Sequence, residues 1–269
     1  IDFRGGTYSS MTIDSCAHLT FNNCDIGQDT PMSGLTAEST DDVEVVNCSF
    51  DTGDRIMDDW ESRSEEDGLH IHNGCTNWTV HNNDFLNWGH CCLNMWSDDS
   101  GNKVTDISIH DNYFTDEDTD YGSAFTISSY LNCSDNIYFY RNEMYKMATY
   151  NQLNFNGGDL WFYNNLIDGT KGNSYKSDNT GFGIGVLTYG GTGGSHGVKV
   201  YNNTIINCGD GGLFVGGYSN GHIEHNELIN NICCNNGINV HNGEDPNMQL
   251  VRKDAGWLVL DNIYKNNLF

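Results

Sequence analysis

A single block recurs along almost the whole chain: two apolar residues at alternate positions, a short polar step, a Cys or Asn, and another apolar residue. It reads Leu19/Phe21/Cys24/Ile26, Val43/Val45/Cys48/Phe50 and Trp78/Val80/Asn83/Phe85. It continues as Ile107/Ile109/Asn112/Phe114, Ile137/Phe139/Asn142/Met144, Leu160/Phe162/Asn165/Ile167 and Val198/Val200/Asn203/Ile205. A degraded copy is Ile223/Asn226/Leu228, and the last is Tyr264/Asn267/Phe269. A repeat constrains the whole architecture, because each unit can bury its apolar face only against its neighbours. It predicts a stack of similar coils and names no activity.

Along the Cys/Asn column the successive intervals are 24, 35, 29, 30, 23, 38, 23 and 41 residues. The shortest set the minimum coil, and the longer ones imply loops inserted at one corner. The first two apolar residues of each block alternate with period two, as in a strand with one buried face. The parity then shifts by one before the Asn column. A straight strand cannot keep all these side chains inside, so the chain bends there, where Asn tolerates the left-handed backbone of a tight turn. Stacked coils would stack the Asn amides, each able to donate and to accept.

A second strand accompanies most blocks: Gly68–His72, Leu93–Trp96, Ala124–Ser128, Leu153–Asn156, Gly212–Val215 and Gly237–His241. Two to three short strands per coil, with no helical period between them, predict an all-β fold. The expected form is a single-stranded right-handed parallel β-helix, a solenoid of about nine coils with loop insertions. Its hand follows from the crossover rule. No leucine consensus supports a leucine-rich repeat, and no regular antiparallel turn signal supports a propeller.

The Asn-rich blocks, with phrases such as Val200-Tyr-Asn-Asn-Thr-Ile205-Ile-Asn-Cys208, resemble the right-handed parallel β-helix proteins of the pectate-lyase-like superfamily. The resemblance covers roughly residues 1–269 and implies the fold. It is weakly specific for activity, since such folds host lyases, hydrolases, epimerases, tailspikes and adhesins. The signatures of particular enzymes do not match. The Trp-Ile-Asp-His run of pectate lyases meets Trp78-Thr79-Val80-His81 here, and the Asp-Pro-His-Asp and Gly-His-Gly runs of related enzymes are absent. No catalytic residue is therefore carried over.

The 269 residues fit one elongated domain, 1–269. Neither end carries an evident solenoid cap, so the chain is expected to be part of a longer one, able to stack on adjacent domains or subunits. Net charge is −25, from 37 acidic against 12 basic residues. This excludes nucleic acid as a partner and disfavours unaided binding of a polyanion. A neutral glycan, a Ca²⁺-bridged one, or a merely solvated acidic surface all fit. No apolar run is long enough for membrane insertion. Ten cysteines suit an extracellular or cell-surface location. Cys24 and Cys48 occupy the Asn column itself, and one member of each adjacent pair, Cys91-Cys92 and Cys233-Cys234, should face inward. The Cys/His spacing matches no zinc module.

The richest chemistry lies between Arg55 and Trp96. Alternation puts Leu69 and Ile71 inside and His70 and His72 outside, about 7 Å apart. Neighbouring coils would set Asn94 and Trp96, Thr126 and Ser128, and Asn154 and Asn156 beside them. Such a stripe, with Trp88, suits a sugar chain: aromatic faces stack on pyranose rings and amides bond hydroxyls. A hydrolase needs two carboxylates, for which Asp58, Asp59, Glu65, Glu66 and Asp67 are candidates. A lyase needs a base, an acid and a cation near the uronate carboxylate; His70, His72 and His90 are candidates for the first two roles. Separately, Asp116, Asp118 and Asp120 alternate before Gly122, a spacing that converges oxygen ligands on Ca²⁺. The resulting expectation is a protein that binds, and by elimination or hydrolysis degrades, a polysaccharide. The alternative is a non-enzymatic structural or adhesive β-helix of a surface, filament or virus fibre.

Overall fold

The computed structural model describes residues 2–3, 9–27, 33–51, 67–115, 122–146, 151–169, 182–188, 194–209, 211–217, 221–237, 250–252 and 258–269. Among these residues every regular element is a strand and every pairing is parallel. No helix there is long and apolar enough to cross a membrane.

The strands fall into three sheets, visited in turn by the chain. Among the described residues sheet A has nine strands, including Asp25–Ile26, Ser49–Asp51, Asp84–Leu86, Tyr113–Thr115 and Glu143–Tyr145. Sheet B includes Ser33–Glu38, Asp67–Ile71, Cys91–Ser97 and Ser123–Ser129. Sheet C includes Asp41–Val46, Thr76–His81, Val104–His110 and Ser134–Tyr140. The long strand Gln152–Tyr163 runs from sheet B into sheet C. Each strand pairs with its counterpart one circuit later, so the chain advances as a coil.

The recurring block maps directly onto this geometry. Its first two apolar residues point inward from sheet C, the Cys or Asn occupies the corner, and the last apolar residue points inward from sheet A. Val80, Ile109, Phe139 and Phe162 form one fully buried column. Phe50, Phe85 and Phe114 form another, with successive ring centroids 4.6 and 4.9 Å apart and nearly parallel planes.

The bend falls at the residue just before the column. Asn23, Asn47, Asn82, Asp111, Arg141, Asn164, Asn202 and Asn230 all have φ between 53° and 58°, in the left-handed region. The column residue itself does different work. Asn112 Nδ2 donates to Asn142 Oδ1 at 3.0 Å and to Val80 O at 3.0 Å. Asn142 repeats this toward Asn165 and Ile109, and Asn165 toward Asn203 and Phe139. Each Oδ1 also accepts from the backbone N–H of the preceding ladder residue, as Asn142 Oδ1 does from Asn112. All four hydrogen-bonding positions of a ladder amide are thereby filled.

One position is corrected. The ladder passes from Asn203 to Asn231 and then to Asn267, both at 3.0 Å, and not through Asn226. Asn226 instead bonds Asn262 and splits its sheet C strand into His222–Glu224 and Glu227–Ile229. A second Asn pair has been inserted five residues upstream of the first, and spacing alone does not separate the two.

None of the ten cysteines is in a disulfide. Cys24 and Cys48 extend the ladder column as buried thiols, and the Cys48 N–H donates to Asn83 Oδ1 at 2.8 Å.

Candidate functional site

In the sheet B strands Asp67–Ile71, Cys91–Ser97 and Ser123–Ser129, His70, Asn94, Trp96, Thr126 and Ser128 turn outward, whereas the even residues Cys92, Ala124, Ile184 and Val186 belong to the core. Leu69 and Ile71 are fully buried in the core, while His70 and His72 lie on the outer face with ring centroids 5.6 Å apart. Register places Asn94 beside His70, Thr126 beside Asn94, and Ser128 beside Trp96. The register of the stripe expected from the sequence is present at these positions, but Asn94, Thr126 and Ser128 are buried, which leaves His70, His72 and Trp96 partly exposed.

Two of its members are displaced. Thr126 pairs with Gln152 and Ser128 with Asn154, so the next strand is registered two residues away from the expected match. Asn156 has by then crossed to sheet C, where it pairs with His196. Asn154 keeps its column but is fully buried.

Trp88 is the clearest correction. Its side chain is 0% exposed and belongs to the hydrophobic core, so it offers no face to a sugar. It follows the short strand Asp84–Leu86, at the corner that leads into sheet B, where strand alternation no longer fixes direction. The indole N–H donates to Phe50 O at 3.1 Å. A Cβ added at Gly27, Gly34 or Gly68 would approach the ring to 2.6, 3.1 or 2.9 Å. Glycine at these positions leaves the room that the indole fills.

Trp96 stays on the surface side, half-buried, with its ring edge-on to Tyr130 at 5.6 Å. Asp58, Asp59, Glu65 and Glu66, and the Ca²⁺ candidates Asp116, Asp118 and Asp120, lie outside the described residues.

The centre of the site is a residue that the sequence placed only among several carboxylates. Asp67 opens the strand Asp67–Ile71 and is almost wholly buried. Its Oδ1 accepts from His90 Nδ1 at 2.7 Å and from the Cys91 thiol at 3.0 Å. Its Oδ2 accepts from Asn94 Nδ2 at 2.8 Å and lies 3.8 Å from His70 Nδ1. Burial by itself would raise the carboxyl pKa; His90, His70 and the Cys91 thiol together outweigh it and hold the group at about 2. Asp67 is thus an anion under a polar face. The His70 imidazole is pushed below its ordinary value, first by burial and then by His72 and His90, against the pull of Asp67. Burial, and next the Asp67 charge, push the Cys91 thiol up.

The partners of Asp67 lie 23, 24 and 27 residues along the chain. That is one minimum coil, the signal by which this cluster could have been found from the repeat. Among the described residues two buried atoms here have no hydrogen-bond partner, His70 Nε2 and Asn94 Oδ1. Chemically, the site holds one fixed anion, the imidazoles of His70, His72 and His90, and amide groups able to bind hydroxyls.

The described strands build a parallel β-solenoid, each strand paired with its counterpart one circuit later. Among solved structures, the chain is similar to the crystal structure of alginate lyase from Paenibacillus sp. str. FPU-7. The TM-score is 0.62 with 11% identity, over 94% of this chain and 78% of that one. At that identity the likeness speaks for the fold. No family model matches the chain, and no curated protein matches it.

Proposed function

We propose that the chain is a right-handed β-helix of about nine coils that acts outside the cell on a polysaccharide, with the outer face of sheet B as its site. The observation that carries this reading is the buried Asp67 carboxylate. It draws His90 and Asn94 into hydrogen bonds, with His70 close by, on a face where two buried polar atoms lack partners. Unpartnered buried polar atoms cost about 1–3 kcal/mol each.

Among the described residues, the groups on this face fit elimination better than hydrolysis. Both Asp67 oxygens already accept hydrogen bonds, and its low pKa suits neither a general acid nor a proton reservoir. Histidines can take the proton next to a uronate carboxyl group and return one to the departing glycosidic oxygen. His70 and His72 are the pair assigned to these steps, with His90 and Asp67 as the support beneath them. The likeness to an alginate lyase supports the same substrate class.

The test is digestion of a panel of acidic and neutral polysaccharides, with and without Ca²⁺, following new reducing ends and the absorbance of unsaturated uronate together. Both signals rising, and both lost in His72→Ala, is the expected result. Reducing ends without the absorbance would replace elimination by hydrolysis. No cleavage of any glycan would leave a structural or adhesive solenoid.

A further inference from the structure

We infer that Asp67, His90 and Cys91 form a binding site for a borderline divalent transition metal, of which Zn²⁺ is the type. Asp67 Oδ1, His90 Nδ1 and Cys91 Sγ make a triangle with sides of 2.7, 3.0 and 3.5 Å. One ion can touch all three at the ~2.0–2.3 Å bond lengths that zinc makes to oxygen, nitrogen and sulfur. The donor set mixes a carboxylate, an imidazole and a thiol, which favours zinc over Ca²⁺ or Mg²⁺.

Asp67 Oδ1, His90 Nδ1 and Cys91 Sγ, three atom types that ligate metals, all lie within 4.8 Å of one another on this face. A second observation points to the same place. Asn94 is only 8% exposed, its amide nitrogen is 2.8 Å from Asp67, and its Oδ1 has no partner. It stands at the edge of the cluster as an oxygen donor for a further coordination position.

Binding is balanced without any co-reactant. The Cys91 thiol releases its proton to solvent as the sulfur–metal bond forms. His90 moves its proton from Nδ1 to Nε2, leaving a lone pair for the ion. The sequence spacing 67/90/91 matches no zinc module because the ligands are brought together by the coil and not by a local loop.

The role of the ion rests on the elimination reading above, although its binding does not. Elimination from a uronate needs positive charge near the carboxylate. The described outward positions of sheet B beside the cluster are His, Asn, Trp, Thr, Ser and Gln, with no Lys or Arg. A divalent ion held by the Asp67 carboxylate and the Cys91 thiolate would cancel the negative charge beneath the glycan and leave the cluster neutral, with the ion as a Lewis acid.

Cobalt(II) is the probe, because a cobalt–thiolate bond gives a charge-transfer band in the near ultraviolet. Titration of the metal-free protein should saturate near one equivalent, with the band present, and Zn²⁺ should displace it. Cys91→Ser should abolish the band and His90→Gln should weaken binding by at least about 10-fold. Circular dichroism checks that each variant is folded. If the serine variant does not fold, His90→Gln, a change at a half-buried position, decides. A wild-type protein without the band, a band that survives in Cys91→Ser, or unchanged affinity in His90→Gln overturns the site. Glycan cleavage by metal-free protein, measured separately, would leave the site standing and remove its assigned role.

Discussion

The Asn ladder and the outer face of sheet B both bury polar groups against the same coils, and they do it in opposite ways. In the ladder each amide is neutral and repeats its neighbour, so every donor finds an acceptor one coil away. On sheet B, Asp67, His90, Cys91 and Asn94 occur once, one of them is charged, and two nearby atoms are left unpaired. Repetition makes polar burial inexpensive because satisfaction is copied along with the sequence. A place where copying stops, and where charge replaces amide, is where chemistry is to be sought.

The contrast can be broken most forcefully in the ladder. Asn142→Ala strands the backbone N–H and side-chain amide of Asn112 and removes a donor from Ile109 O. We expect a loss of about 5 kcal/mol, read by urea unfolding. A loss below about 1 kcal/mol would mean that the ladder is decoration. Trp88→Ala comes next, at about 4 kcal/mol from the cavity it leaves. Glycan affinity per folded molecule should stay unchanged, and a selective fall in affinity would return Trp88 to the site.

Asp67→Asn should cost about 2 kcal/mol at neutral pH, and the cost should depend on pH. The carboxyl is held at about 2 against an ordinary 3.8. Its contribution is therefore complete above about pH 4 and is lost as pH falls toward 2. Wild type and Asp67→Asn should converge over that interval; a constant gap would show that the charge is not what matters. Asn94→Ala should be the mildest, at about 1 kcal/mol, because the lost bond to Asp67 is partly offset by removal of an unpaired oxygen. Glycan cleavage should nevertheless drop, and unaltered cleavage would detach Asn94 from the site.

Much of the fold was legible because the repeat states each rule several times. The bend before the column, the inward apolar pairs and the stacked amides all follow from one parity shift. Asn226 was misplaced because a second Asn pair imitates the first five residues away. At the site, alternation put His70, His72, Asn94 and Trp96 on the correct face. Alternation says nothing at corners, which is why Trp88 looked available. It also fails where one strand continues from sheet to sheet, which is why Asn156 left the stripe. Asp67 was lost among neighbouring acids, since its identity as the buried one depends on residues a full coil away. The sequence leaves open which of Cys91 and Cys92 faces the core; Cys92 does, and the contact of Cys91 with Asp67 is a matter of three dimensions.

The ladder also sets a scale. Its links span 29, 30, 23, 38, 28 and 36 residues, yet the amide contacts stay between 3.0 and 3.2 Å. Loop length and coil rise are therefore independent variables. Side chains on adjacent strands of any sheet stand about one strand spacing apart, roughly 4.8 Å, whatever is inserted between them. The fold thus behaves as a ruler with movable trim: a lineage can rewrite the loops at the rim freely, while every site drawn on the walls keeps the same graduation.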